Sequence, residues 1–278
     1  MIFTKEFRMM NQEGHLASAS LLAGFEAVAK LDYDKAGTVY SALFQLATGF
    51  ERIMKIAFIL DHKINNDLAN PTDKQLRKLG HSIMELYANL QKSATSHGIS
   101  EGWFEVDKVH GELLAALSEF ALGSRYYNID QLVSGREHPD PLVRWFKVHM
   151  QIAEDSLSYK RREGIMQRAR DFCEARGLFS WEMGPMGQLD LTIDVNYQLA
   201  VARITRGHCV WTAIEVLKPI YDLIDVLVRA VHEVEREKGI ASPTVPYMTE
   251  FFPYCLAHRE TAIRRKAWTT LFQMAGRV

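Results

Sequence analysis

Apolar residues recur at intervals of three and four along most of the chain, and the alternation expected of strands is almost absent. This spacing predicts a helix from about His15 to Leu31, where "LDYD" breaks the rhythm. A longer helix is predicted from about Lys35 to His62, with Leu43, Leu46, Phe50, Ile53, Ala57 and Leu60 on one stripe. Asn, Asp and Pro in "INNDLANP" favour turns and end it. Thr72 and Gln75 then stand at capping-box spacing, so a third helix is expected to open there, run to about Ser96 and stop at Gly98. A fourth is predicted from about Val106 to Leu122.

The segment "SGREHPDPL" holds two prolines and no periodicity, and marks a candidate boundary between a helical bundle over 1–135 and a second helical region, packed on the first, over 136–278. Pro141 suits the first turn of a helix running to about Ala175 and stopped by Gly177. "LDLTIDV" alternates and reads as a short strand. A long helix is predicted from about Asn196 to Lys238, kinked at Pro219, with a loop and short helices after it. The expected fold class is all-α, a bundle of about eight helices.

One stretch raises a chemical question. On a continuous helix, Leu76, Leu79, Ile83, Leu86, Tyr87 and Leu90 share a core face, and Gly80 lies at its margin, where a missing Cβ would admit a neighbouring helix. His81 would then point to the polar side with Arg77 and Glu85 as i, i+4 neighbours. Two readings stand side by side: a solvated charged face, or a row in which His81 exchanges a proton. Glu51, Arg52 and Lys55 share a polar strip of the second helix, with Glu51 and Lys55 in the favoured i, i+4 order. If Lys55 faces His81, the two helices would build an anion site.

The order of "GFERIMKIAFILDHK", a linker, "LRKLGHSIMELY", a further helix and "SRYYN" resembles the HEPN (higher eukaryote and prokaryote nucleotide-binding) helical domains, over roughly residues 15–130. The matching positions are Glu51, Lys55, His81, Arg125 and Tyr126. The resemblance implies a four- or five-helix bundle that dimerises, with RNA or a nucleotide as ligand or a protein as partner. It also implies a place in bacterial defence or toxin systems, either as a metal-independent endoribonuclease with a composite site across a homodimer or as an inert antitoxin, immunity or regulatory subunit. The nucleases of the family carry an Arg followed by four to six residues and a His. This spacing occurs at Arg8–His15, Arg144–His149 and Arg203–His208, none with Asn, Asp or His after the Arg. Arg77 and His81 occupy the family's expected place but are one residue too close. In the enzymatic reading His81, or else His208, moves the proton, and Arg77, Lys55 or Arg203 contacts phosphate.

Composition narrows the alternatives. The formal net charge is −1, without the basic excess common in nucleic-acid binders, so any such contact must come from a local patch. "YKRREGIMQRARDFCEARG" is rich in arginine but interleaved with Glu163, Asp171 and Glu174, and reads as a mixed-charge helix; "HRETAIRRKAW" is more clearly basic. Cys173, Cys209 and Cys255 show no paired spacing and read as buried, reduced thiols of a cytoplasmic protein. The first residues lack the apolar core of a signal peptide, and no apolar run reaches membrane-spanning length. HExxH, a Walker A sequence, GxGxxG after a strand and GxSxG are all missing, so neither metal nor cofactor is expected.

Overall fold

A computed structural model describes residues 3–135 and 138–271; positions 136 and 137 of the candidate domain boundary lie outside the described residues. The fold is all-α: a helical bundle with one small hairpin. In chain order the elements are α1 (Lys5–Ala29), α2 (Ala36–Asn65), α3 (Asp73–Lys78), α4 (Ile83–Ser96), α5 (Lys108–Leu122) and α6 (Tyr127–Ser134). They continue with α7 (Pro141–Ser156), α8 (Tyr159–Glu174), β1 (Trp181–Met183), β2 (Leu189–Leu191), α9 (Thr192–Glu237) and α10 (Arg259–Arg264).

α1 starts ten residues before the periodicity predicts, because Thr4 caps it by accepting the Phe7 N–H at 3.0 Å. It packs antiparallel on α2 through reciprocal notches: Gly24 lies against Leu46 and Gly49 against Leu21. A Cβ at Gly24 would fall 2.7 Å from the Leu46 side chain, and one at Gly49 2.5 Å from that of Leu21. At the far end of α2 the fully buried Lys63 ammonium meets Glu6 of α1 at 2.6 Å and donates to the Leu68 carbonyl at 3.1 Å, the pairing that a buried charge requires.

α9, 46 residues long, is the axis of the molecule. Its buried Ile214, Leu217, Ile220, Ile224 and Val231 join residues of α1, α2, α4, α5 and α7 in one continuous apolar core from Met10 to Trp268. Pro219 is buried inside α9 without ending it. Thr72 and Gln75 form the predicted capping box, and Pro141 opens α7.

Three local expectations are corrected. The helix predicted over 141–175 is two, because Leu157 is extended and Ser158 starts α8 by accepting the Arg161 N–H. "LDLTIDV" is a strand only at Leu189–Leu191, paired antiparallel with Trp181–Met183, and from Thr192 it is helix. The helix predicted from Thr72 to Ser96 is also two, and that break bears on the site.

Candidate functional site

Gly80 takes a φ of +65°, and an added Cβ would meet no atom within 4 Å. Glycine is therefore needed here for the left-handed backbone, not to admit a neighbouring helix. Ser82 then caps α4 by accepting the Glu85 N–H at 3.3 Å. The break abolishes the expected row of Arg77, His81 and Glu85. Arg77 pairs with Asp73 at 2.9 Å in solvent, while His81 turns towards α2.

There His81 Nδ1 lies 2.9 Å from Glu51 Oε1, the same oxygen that holds Lys55 Nζ at 2.6 Å. Lys55, Glu51 and His81 are thus brought together, with the Glu51 carboxylate in the place where an external anion would sit. Arg52, one residue along, is taken by Glu13 of α1 at 2.6 Å. Arg125 and Tyr126 lie at the α5–α6 junction, the guanidinium 5.1 Å from the tyrosine ring centre.

The charges around α8 and the first half of α9 are held differently. Arg168 and Arg203 line a cavity of about 430 Å³, with an apolar wall that includes Ile165, Phe172 and Leu199. Arg162 and Arg170 line a second of about 480 Å³ together with Tyr159 and Tyr197. Arg206, near Arg203 and Asp32, has its guanidinium pKa lowered by burial and by Arg203. None of these five arginines makes an ion pair among the described residues. Of the interleaved acids, Asp171 accepts from Gln167 instead.

Arg203 and His208 do not converge. Five residues on a helix turn through about 140°, so Arg203 opens on the α8 cavity while His208 lies near Arg161 and Arg259. Burial first, then those two guanidiniums, hold the His208 imidazole below its ordinary pKa. Among the described residues its Nδ1 is buried without a hydrogen-bond partner. Gly207 beside it is imposed by packing, since a Cβ there would overlap the Ile263 carbonyl of α10.

Beneath this face runs a buried polar chain whose members no sequence pattern links. Thr205 Oγ1 donates to the Val201 carbonyl at 2.8 Å and so accepts from His149 Nε2–H at 3.0 Å. His149 Nδ1 is left to accept the Tyr33 hydroxyl proton at 2.6 Å. Burial, then the Arg206 charge, push the His149 pKa down to about 3, and burial raises that of Tyr33 well above normal. Both are neutral at pH 7. The one hint in sequence, the Arg144–His149 spacing, is coincidental, because Arg144 pairs with Glu112 and Glu119.

Tyr33 also borders a cavity of about 450 Å³ that shares Asp34, Asn196 and Leu199 with the Arg168–Arg203 cavity. The two form one cleft, walled by the α1–α2 turn, α8, α9 and the hairpin. Among the described residues no cluster of three or more His, Cys, Asp or Glu could hold a metal ion. No helix there is long and apolar enough to cross a membrane. In comparisons with family models, curated proteins and solved structures, nothing matches this chain.

Proposed function

We propose that the protein is a HEPN-like helical protein that binds single-stranded RNA along the α8–α9 face, through its phosphates, without cutting it. The observation that carries this reading is the group of five arginines, Arg162, Arg168, Arg170, Arg203 and Arg206, with no ion-pair partner among the described residues. A guanidinium fork without a carboxylate is preorganised for phosphate oxygens. Tyr159 and Tyr197 stand among these arginines and offer rings on which unpaired bases stack. The near-neutral net charge fits a local patch better than a protein basic throughout.

The test is fluorescence anisotropy with labelled single-stranded and duplex RNA over a salt series. The expected result is tighter binding of the single strand, with an affinity that falls linearly on a log–log salt plot at a slope of about −0.7 per phosphate contacted. Absence of binding at low salt would overturn the reading and leave the inert protein-binding subunit in its place.

Cleavage is the second reading, and one observation favours it: His208 is held neutral near two guanidiniums, as a general base must be. Incubation with RNA in EDTA decides it. Cleavage lost in His208→Ala, with binding retained, would establish a metal-independent nuclease; intact RNA in the wild type leaves binding alone.

A further inference from the structure

A separate cavity of about 260 Å³ opens between α9 and the chain that leads into α5, and it shares no lining residue with the arginine cavities. Glu215, Lys218 and Pro219 line it from α9, and Trp103 and Glu105 from the short turn and loop before α5. Trp103 is 48% exposed but is not free. Its indole N–H donates to Asp222 Oδ2 of α9 at 2.8 Å, which tethers the ring as one wall of the cavity.

Two opposite charges line this space without meeting. Lys218 is half-buried yet makes no ion pair among the described residues, and its ammonium lies 4.2 Å from the Trp211 ring centre. Asp222, one turn along, would be its usual i, i+4 partner but takes the Trp103 N–H instead. Glu105 likewise makes no ion pair among the described residues. His110, the other basic group of the wall, is already clamped between Asp107 at 2.8 Å and Glu215 at 3.3 Å. Pro219 adds a third open group: it has no N–H, so the Glu215 carbonyl lacks the donor that a helix normally supplies four residues on.

We infer that this cavity binds a small zwitterion, a free α-amino acid with an apolar side chain. The ligand carboxylate meets Lys218, and its ammonium meets Glu105 and the Glu215 carbonyl. The side chain lies against Trp103, Tyr87 and Val216, which line the same space. An anion alone would face the carboxylates of Glu105 and Glu215, and a cation alone would leave Lys218 unanswered. A zwitterion satisfies both. The volume falls just under the range of about 300–1,000 Å³ that holds drug-sized ligands, as a small occupant requires. The inference does not depend on the RNA reading.

Differential scanning fluorimetry of the full chain, without RNA, against each common α-amino acid at millimolar concentration tests it. An apolar amino acid is expected to raise the melting temperature, as selective binding to the folded state does. Its amide, which lacks the carboxylate, and its N-acetyl form, which lacks the ammonium, are expected to bind about tenfold more weakly or worse by calorimetry. Lys218→Met and Glu105→Gln should each weaken the amino acid by a similar factor, and Arg203→Glu should leave it unchanged. Should Lys218→Met lower the ligand-free melting temperature, Lys218→Gln replaces it. If no amino acid raises the melting temperature, the inference falls. It falls too if the amide or the N-acetyl form binds as tightly as the free amino acid, since one charge then suffices. Binding indifferent to the Lys218 and Glu105 variants, or lost in Arg203→Glu alone, overturns it as well.

Discussion

Lys55 on α2 and Arg203 on α9 are both long cations on helices that pack against the core, yet the chain treats them in opposite ways. Around Lys55 the charges are closed on one another: Glu51 takes both Lys55 and His81, Glu13 takes Arg52 and Asp73 takes Arg77. Around Arg203 the guanidiniums stand open, with aromatic rings between them and cavities in front. The first cluster holds α2 to its neighbours. The second has unspent capacity for an anion. The kinds of residue in the two places are similar; Asp34 and Glu163 line the arginine cavities too, and the difference is that neither closes on a guanidinium as an ion pair among the described residues.

The largest expected effect breaks the comparison if it fails. Arg168→Glu/Arg203→Glu should weaken RNA binding about 100-fold at low salt, since two phosphate contacts become two repulsions. Lys55→Ala should change it less than about twofold, because its charge is already met. Anisotropy titrations measure both; equal losses would mean that the paired cluster also contacts ligand.

The second prediction concerns the layer beneath the arginines. His149 has a folded pKa of about 3 against an ordinary 6.5, so below pH 6.5 the unfolded chain binds the extra proton. Its contribution to stability is complete above pH 6.5 and is lost as pH falls towards 3, by up to about 1.4 kcal/mol per pH unit. Denaturant melts across this range should show the slope, and His149→Gln should flatten it. Glu26, lowered to about 2 by Lys30 and Thr269, adds a separate loss that begins near pH 4.5.

A smaller effect sharpens the account of the paired cluster. Gly80→Ala forces a Cβ into the left-handed region and should cost about 1–2 kcal/mol, read as a lower denaturation midpoint. The smallest is Glu51→Ala. The Glu51–Lys55 pair is only partly buried and His81 is exposed, so stability should fall by about 1 kcal/mol or less. Vacating the carboxylate should nevertheless let inorganic phosphate raise the melting temperature through Lys55 and His81. No phosphate response would show that the closed cluster is not a masked anion site.

Local signals in the chain read well. The stripe of α2, the Thr72–Gln75 capping box, Pro141 at the head of α7 and the stops at Gly98 and Gly177 are short-range physics and appear as predicted. The break at Gly80 hides because Leu79 and Ile83 keep helical spacing across it. Ser82 followed by Glu85 was the available clue, since that is the signature of a new N-terminus. Of the site, the meeting of Lys55, Glu51 and His81 was legible as a conditional, but the sharing of one carboxylate oxygen was not. Neither were the Tyr33–His149–Thr205 chain, whose first two members are 116 residues apart, and the open state of the α8 arginines. Such facts are long-range, and periodicity carries no information about them.

The clasp at Glu26 has a consequence for how the chain is made. Its carboxylate binds the backbone N–H groups of Trp268 and Thr269, and the Trp268 indole lies edge-on to Phe25 at 5.3 Å, fully buried. These partners are more than 240 residues apart in sequence. During synthesis from the N-terminus at about 5–20 residues per second, α1 and α2 can pair as soon as both have emerged. Phe25 then waits for roughly the whole remaining translation time before its cover arrives. Until that moment a nascent chain displays an aromatic surface that the finished protein never shows.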